Sequence, residues 1–241
     1  NQPRSEILLC CYQLFGDNSA VPVRNLHPDT FMPASVPTSD VLNFDTIIDA
    51  FYTQGWVWLP DFLRPELNNA LLHEAQYEAE LTPAGIGRQN DFQLNQQIRR
   101  DATQWFDGQS TAQQQYLALM AQLQQAFNRR CFLGLFDFEC HFARYRSGDY
   151  YQKHVDAFSG RSNRVLTTVS YLNSVHQGGE LELYSEHDQL IDRFLPTAGS
   201  LIIFESERFP HAVLPAVDTR YSIAGWFRKN ASINGVLDPA S

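Results

Sequence analysis

The stretch Tyr145–Asn173, YRSGDYYQKHVDAFSGRSNRVLTTVSYLN, carries the information that decides the fold. Its second half, from Arg164 to Leu172, is rich in β-branched and aromatic residues and predicts a strand. Its first half contains His154 and Asp156, two positions apart. On a strand this spacing places both side chains on one face. The stretch therefore predicts a β-structure that presents an imidazole and a carboxylate side by side.

Similar short β-rich runs surround this stretch and are separated by Gly, Ser, Asn and Asp. They cover Phe138 to Tyr145, Glu180 to Tyr184, Leu201 to Phe204 and Tyr221 to Phe227. No helical pattern lies between them, which argues against a parallel, doubly wound sheet. Many short strands at this spacing predict a jelly roll or barrel instead.

The part of the chain before the strands is helical in pattern. Apolar residues from Phe44 to Phe51 recur at three and four positions, and Gly55 is a natural helix stop. A second helix is expected with Pro65 in its first turn. A third begins at Ser110, where S-x-x-Q forms a capping pattern. Its apolar face is formed by Tyr116, Leu119, Met120, Leu123 and Phe127. Helices followed by strands indicate the α+β class.

Three regions are expected along the chain. Residues 1–40 contain four prolines from Pro22 onward and are predicted to be an arm or linker. Residues 41–230 form one domain, helical to about residue 130 and β-rich after that. Residues 231–241 are a C-terminal tail. Within the domain, residues 81–109 lack a steady period and predict a long loop or hairpin.

Composition excludes several classes of partner. The 241 residues contain 18 Lys and Arg against 27 Asp and Glu, a formal charge of −9. Such a chain repels phosphate backbones and anionic membranes, so neither nucleic acid nor a membrane is an expected partner. No apolar run near the start reaches the length of a membrane span. The four cysteines contain no C-x-x-C, and reduced thiols in a cytoplasmic protein are expected.

His211 lies after the intervening strands and is a third candidate metal ligand beside His154 and Asp156. Two imidazoles and one carboxylate form the facial arrangement of non-haem Fe(II) oxygenases. Zinc accepts the same ligand types, so they alone leave the metal open.

Arg220 favours iron over zinc. It begins a run in which Ser222, Ala224 and Trp226 share its face. If that face is interior, the arginine needs an anionic partner, and a guanidinium binds carboxylates through two parallel hydrogen bonds. The dicarboxylate 2-oxoglutarate supplies one, with Ser222 or Tyr171 adding a hydroxyl group. The alternative for Arg220 is a surface salt bridge.

Several separated motifs together resemble the SM-20 type prolyl 4-hydroxylases, the Fe(II)- and 2-oxoglutarate-dependent family that includes the animal oxygen-sensing hydroxylases. The motifs are the quoted stretch, IRRDATQW from Ile98, GGELELY from Gly178, SERFPHAV from Ser206 and TRYSIAGWF from Thr219. The resemblance covers roughly residues 45–229. It implies a double-stranded β-helix, or jelly roll, with supporting N-terminal helices.

The resemblance also implies roles for individual residues. His154, Asp156 and His211 would bind iron. Arg220 and Tyr171 would bind the far carboxylate of 2-oxoglutarate, and Tyr145 would lie at its metal-binding end. A second group would form the substrate groove: Trp226, Arg164 and Tyr151, with Asp101 paired to Arg164 so that the 81–109 loop covers the groove.

The expected activity is hydroxylation of a prolyl C4 in a protein, with release of succinate and CO2, O2 as cosubstrate and ascorbate as reductant. A translation component is the expected target if the source is bacterial. Two alternatives stay open: the same chemistry on a free amino acid or small molecule, and a non-catalytic module that senses 2-oxoglutarate. A mobile flap over an open groove favours a polypeptide substrate.

Overall fold

The computed structural model describes residues 42–85, 97–157, 163–229, 232–233 and 236–237. The predicted arm with the adjacent Cys10 and Cys11, the centre of the 81–109 segment and most of the predicted tail lie outside these ranges. Among the described residues, no helix combines the length and the hydrophobicity needed to cross a bilayer.

Three helices in the described ranges confirm the helical part of the sequence interpretation: α1 (Phe44–Gln54), α2 (Pro65–Tyr77) and α3 (Thr111–Cys131). The Asn43 side chain accepts hydrogen bonds from the first-turn N–H groups of α1, and Gly55 ends the helix at φ 83°. Ser110 caps α3 by accepting from Gln113 N at 3.0 Å. The Gln113 side chain departs from the capping-box pattern, because it donates to Glu74 of α2.

The helices pack against one side of a large antiparallel sheet. The buried face of α3 is the predicted one, with Tyr116, Met120, Leu123 and Phe127 fully enclosed, while Leu119 is half-buried. Phe51 of α1 contacts Phe127 edge to face at 5.0 Å. This helical layer supports the sheet from behind and leaves its other face for the site.

Seven strands form this larger sheet, in the order β1-β9-β6-β11-β4-β3-β2. Their bounds are β1 (Trp56–Leu59), β2 (Thr82–Pro83), β3 (Ala102–Trp105), β4 (Leu135–Tyr145), β6 (Arg164–Tyr171), β9 (Leu201–Glu205) and β11 (Arg220–Lys229). Strands β2 and β3 pair with each other, so the described ends of the 81–109 segment form a hairpin.

A second sheet has the order β5-β10-β7-β8, formed by β5 (Tyr151–His154), β7 (Leu181–Tyr184), β8 (Leu190–Phe194) and β10 (His211–Val213). A short ladder joins β12 (Ser232–Ile233) to β13 (Val236–Leu237). All pairings are antiparallel, and the two main sheets form a jelly-roll core with N-terminal supporting helices. The predicted α+β fold class is confirmed.

Two neighbouring strands of the larger sheet line its inner face with alternate residues. On β11 these residues are Arg220, Ser222, Ala224 and Trp226. Their register partners on β4 are, in the same order, Tyr145, Ala143, His141 and Glu139. Side chains of alternate strand residues share one face. These two rows therefore cover the inner face of the larger sheet from Arg220 to Trp226.

Candidate active site

His154, Asp156 and His211 meet at the inner edge of the smaller sheet. His154 ends β5, His211 begins β10, and the two are register partners. Asp156 Oδ1 lies 3.5 Å from His154 Nε2, and Asp156 Oδ2 lies 3.5 Å from His211 Nε2. One possible ligand atom from each residue falls within 4.8 Å of the others. The three side chains can therefore bind a single ion.

Both imidazoles are oriented by the backbone. His154 Nδ1 lies 2.8 Å from the Gln152 carbonyl oxygen, and His211 Nδ1 lies 3.2 Å from the carbonyl oxygen of Phe209. A carbonyl accepts only from an N–H, so each Nδ1 carries the proton and each Nε2 keeps its lone pair. The backbone contacts thereby select the tautomer that a metal ion needs.

The Asp156 carboxylate is oriented by a buried pair of hydroxyl groups. Thr167 Oγ1 donates to Asp156 Oδ2 at 2.8 Å and lies 2.9 Å from Ser206 Oγ. Both hydroxyl-bearing residues are buried. Because Oδ2 accepts this hydrogen bond, Oδ1 is the oxygen that keeps both of its lone pairs for a cation.

The electrostatics favour cation binding at neutral pH. Burial opposes the charge of Asp156, but the neighbouring His211 and His154 outweigh it, so the pKa of Asp156 lies well below its usual range. Burial, reinforced by His154, lowers the pKa of His211 to about 4. The site thus presents an ionised carboxylate and a neutral imidazole, the forms that bind a metal ion.

Arg220 lies at one end of the same pocket and is almost completely enclosed, with 2% of its surface exposed. Its Nη1 donates to the Gly179 carbonyl at 3.1 Å, and its guanidinium lies over the Tyr145 ring at 4.1 Å. Among the described residues no carboxylate forms an ion pair with it, and its Nε lacks a hydrogen-bond partner.

Tyr171 lies beside Arg220, and its hydroxyl group also has no partner in the described part of the chain. Burial raises the pKa of Tyr171 to about 12, so the phenol is a neutral donor. Ser222 is the register partner of Tyr171 and lines the pocket next to it. This end of the pocket therefore holds a buried cation and spare hydrogen-bond donors, which suits an incoming carboxylate.

Trp226 and Tyr151 line the other side of the pocket, and Arg164 lies against Trp226 just outside that lining. Trp226 is largely buried, and the Arg164 guanidinium lies 3.5 Å above its ring. Tyr151 stacks on the His154 imidazole at 3.6 Å between ring centroids. Trp105 from β3 lies 6.0 Å from Trp226 and is half exposed, so it forms part of the rim.

The predicted pairing of Asp101 with Arg164 is wrong. Asp101 accepts two hydrogen bonds from Arg99, at 2.7 and 2.5 Å, and Arg164 is paired with Glu139. The Arg99 guanidinium also lies over the Tyr151 ring, 4.5 Å from its centroid. Arg99, two positions before Asp101, thus makes the bidentate contact that was assigned to Arg164.

His141 is a pocket residue that the sequence analysis did not assign to the site. Its Nδ1 lies 3.0 Å from the Phe142 carbonyl oxygen, and its ring lines the pocket between Trp105 and Trp226. Burial, reinforced by the charge of Arg99, lowers its pKa to about 4. The alternation of His141, Ala143 and Tyr145 along β4 was the available signal. Thr167 and Arg99 were missed as well, because the motifs that contain them do not indicate which residue each one contacts.

The pocket fits Fe(II) with 2-oxoglutarate better than it fits a hydrolytic zinc site. The three candidate metal ligands, Arg220 and Trp226 all line this one pocket. Two imidazoles and one carboxylate leave coordination positions for a chelating cosubstrate. The buried guanidinium with an unused donor provides a counterion for the far carboxylate of such a molecule, which a hydrolytic zinc site has no need of.

Comparison with known proteins gives the same result. Residues 140–228 match the model of the 2OG-Fe(II) oxygenase superfamily. A prolyl 4-hydroxylase of Pseudomonas putida is similar in structure, with 39% sequence identity and a TM-score of 0.71 over 78% of this chain and 100% of that chain. The chain belongs to the prolyl 4-hydroxylase family of 2OG-Fe(II) oxygenases.

Two further relatives of the family extend this comparison. Egl nine homolog 1 of Rattus norvegicus is 35% identical over 86 residues, which are 34% of this chain and 25% of that protein. The match therefore spans about a quarter of the curated relative. A Trichoplax adhaerens prolyl hydroxylase, solved with a peptide fragment of the hypoxia-inducible factor, shares the fold at a TM-score of 0.68, with 24% identity over 77% of this chain and 89% of that chain.

Proposed function

We propose that this chain is an Fe(II)- and 2-oxoglutarate-dependent dioxygenase that hydroxylates C4 of a prolyl residue in a protein substrate, with release of succinate and CO2. One observation carries the proposal: the His154, Asp156 and His211 cluster opens into the same pocket as the buried Arg220, whose Nε has no partner among the described residues. Membership of the prolyl 4-hydroxylase family supports it.

His154 Nε2, His211 Nε2 and Asp156 Oδ1 are the atoms that would hold iron. Bound Fe(II) and 2-oxoglutarate would supply oxidation of a C–H bond, in which O2 gives one oxygen atom to the substrate and the other to succinate, with loss of CO2. The protein keeps these ligands ready through the carbonyl contacts of the imidazoles and the Thr167 hydrogen bond to Asp156. The ligand set is therefore preorganised by the chain itself.

Arg220 would bind the far carboxylate of 2-oxoglutarate, and Tyr171 and Ser222 would donate hydrogen bonds to it. Arg220 cannot turn away, because Gly179 and the Tyr145 ring hold its guanidinium in place. Burial raises the pKa of Tyr145 above its usual range, so its hydroxyl group remains a neutral donor at the same end of the pocket. Arg220 and Tyr145 are both buried, so this end of the pocket is shielded from solvent.

The substrate prolyl residue would enter past Trp226, Arg164 and Tyr151. The apolar face of the Trp226 indole suits a pyrrolidine ring, and Tyr151 lies between the rim and the iron ligand His154. Asp101 contributes by fixing Arg99 over Tyr151 rather than by contacting Arg164. The half-exposed Trp105 adjoins this wall and offers a surface to residues that flank the proline.

We further propose a protein target in the cytoplasm, with ascorbate as the reductant. The peptide complex of the Trichoplax relative is consistent with a polypeptide substrate. A component of the translation apparatus is the target to test first in a bacterial source, by analogy within the family. These finer assignments rest on the family and on the open rim of the pocket.

The activity is tested by incubating purified protein with Fe(II), 2-oxoglutarate, ascorbate and an array of proline-centred peptides. Mass spectrometry reads the addition of one oxygen atom, and succinate is measured in parallel. We expect hydroxylation of some peptides, none of their proline-to-alanine versions, and no product with His154→Ala. Hydroxylation of free proline alone would point to a small-molecule substrate. Binding of 2-oxoglutarate without any succinate would point to a sensor module.

A further inference from the structure

Four charged side chains continue the inner face of the larger sheet beyond Trp226. Arg228 follows Trp226 at the next inward position of β11. Its register partners are Asp137 on β4 and Arg164 on β6, and Glu139 is the register partner of Trp226. Three adjacent strands thus bring two acids and two bases together at the substrate end of the pocket.

These residues form an unbroken ladder of alternating charge. Arg228 donates to Asp137 through Nε at 2.9 Å and Nη2 at 2.5 Å, and its Nη1 lies 3.0 Å from Glu139 Oε2. The other oxygen of Glu139 accepts from Arg164 Nε at 2.8 Å and lies 2.7 Å from Arg164 Nη2. Glu139 is therefore the link between the two arginines.

The ladder is buried, which separates it from ordinary surface ion pairs. Side-chain exposure is 4% for Arg228, 7% for Glu139 and 15% for Arg164. Buried ion pairs add little net stability, because desolvation offsets the attraction, but removal of one partner is costly. Loss of any one partner from the ladder is therefore unfavourable, which keeps its geometry well defined. A surface that positions a substrate requires such a fixed geometry.

The ladder ends on the indole of Trp226. Arg164 Cζ lies 3.5 Å from the centroid of that ring. Glu139 contacts the same guanidinium along the edge formed by Nε and Nη2. A guanidinium held along one edge by a carboxylate cannot rotate away from the ring. The Arg164 guanidinium therefore contacts the Trp226 ring with its face and Glu139 with its edge.

We propose that Glu139 is a positioning residue for the protein substrate, acting by fixing Arg164 on Trp226 so that the prolyl residue meets a rigid wall. The inference rests on the proposed function, because it gives the wall a substrate. Glu139 does not act on the cosubstrate end of the pocket, since Arg220 lies at the opposite end of the β11 row.

The positioning claim is tested first without turnover. Protein labelled with ¹⁵N-tryptophan, loaded with 2-oxoglutarate and diamagnetic Zn(II) in place of iron, gives indole N–H signals for its four tryptophans. The Trp226→Phe variant assigns one of them. Glu139→Gln preserves the side-chain shape and removes the charge. Arg164→Lys preserves the charge and removes the planar guanidinium group. We expect both to shift the Trp226 signal more than the other three.

Glu182→Gln is the matched control. Glu182 is as buried as Glu139 and is also paired with an arginine, Arg193 at 2.8 Å, but it lies on β7 of the smaller sheet rather than on the strands that carry the ladder. Its replacement removes a comparable buried charge without touching the ladder. We expect the Trp226 signal of this variant to coincide with that of the wild-type protein.

Steady-state kinetics then use the best substrate from the proline-peptide array. We expect Glu139→Gln to raise the KM for peptide about tenfold, the loss typical of one weakened charge-assisted contact, with kcat and the KM for 2-oxoglutarate within about twofold. An unmoved Trp226 signal, an equal shift in Glu182→Gln or an unchanged peptide KM would overturn the proposal. Because the spectra need no turnover, an array without substrates would reject the proposed function separately.

Discussion

His154 and His211 face each other as direct register partners across the β5–β10 ladder, with ring centroids 4.3 Å apart. A backbone pairing, rather than a flexible loop, thus sets the distance between the two imidazoles. Asp156 follows β5 by two residues and reaches both Nε2 atoms. The metal ligands are consequently fixed by the same hydrogen bonds that build the smaller sheet.

Thr167 is expected to control metal affinity through Asp156. Thr167→Val keeps the shape but removes the hydrogen bond to Asp156 Oδ2. We expect Fe(II) affinity, measured by anaerobic titration, to fall about 10- to 100-fold, as is usual when a ligand loses its supporting contact. Thr168→Val on the opposite face of the same strand is the control. Equal affinities for the Thr167→Val and wild-type proteins would show that the hydroxyl pair does not orient the ligand.

Gly178 is expected to support 2-oxoglutarate binding at a distance. It has φ 77°, and a Cβ there would lie 2.3 Å from the Pro215 carbonyl oxygen. Because the following Gly179 carbonyl holds Arg220, Gly178→Ala should displace that contact and raise the KM for 2-oxoglutarate about tenfold.

Gly134→Ala separates this effect from general backbone strain. Gly134 also has positive φ, at 63°, but no atom lies within 4 Å of its added Cβ. This variant should lose some stability and keep the 2-oxoglutarate KM of the wild type. If both glycine variants raised that KM equally, local support of Arg220 would not be the cause.

His141 is expected to make the free energy of unfolding depend on pH in the acidic range. Its pKa in the folded chain is about 4, below the value of about 6.5 for an unfolded histidine. The unfolded chain therefore binds a proton that the folded chain excludes. The free energy of unfolding is therefore highest above about pH 6.5. It falls as the pH drops towards 4, by as much as about 3 kcal/mol.

Urea unfolding of the metal-free protein between pH 7.5 and 4.5 measures this effect. We expect the free energy of unfolding to fall more steeply for the wild type than for His141→Gln, while His187→Gln, in an exposed turn, follows the wild type. Parallel curves for the His141→Gln and wild-type proteins would contradict the assignment of the acid sensitivity to His141.

The Arg99–Asp101 pair is expected to stabilise the rim of the pocket. The Asp101 side chain is fully enclosed and that of Arg99 is 14% exposed. Asp101→Asn should lower the free energy of unfolding by about 2 kcal/mol, because it leaves a mostly buried cation without its partner. Asp188→Asn breaks the exposed contact with Lys153 and should cost less than about 1 kcal/mol. Similar losses in the two variants would mean that burial does not strengthen the Arg99 pair.

Sequence alone predicted those parts of the molecule that local chemistry dictates. The helices followed from the apolar period and from end signals such as Gly55 and Ser110, and the strands followed from β-rich runs. His154 and Asp156 were identified because two residues on one strand share a face. Arg220 was identified by the same alternation along β11.

Long-range choices between equivalent partners were not predictable. The partner of Asp101 depends on the folded chain: a β-bridge joins Arg99 to Tyr151, and Arg99 rather than Arg164 pairs with Asp101. Thr167 supports Asp156 from another strand, and nothing in the local sequence distinguishes it from Thr168. The ladder through Glu139 likewise depends on the register of three strands.

The most direct test is an anaerobic titration of the metal-free protein with Fe(II) and then 2-oxoglutarate, following the visible charge-transfer band that chelation of iron by the keto acid produces. We predict a band in the wild-type protein, its loss in His154→Ala, and a band in Arg220→Ala that requires much more 2-oxoglutarate. The absence of any band, together with tight binding of zinc at the same residues, would contradict the assignment of this site to Fe(II) and 2-oxoglutarate.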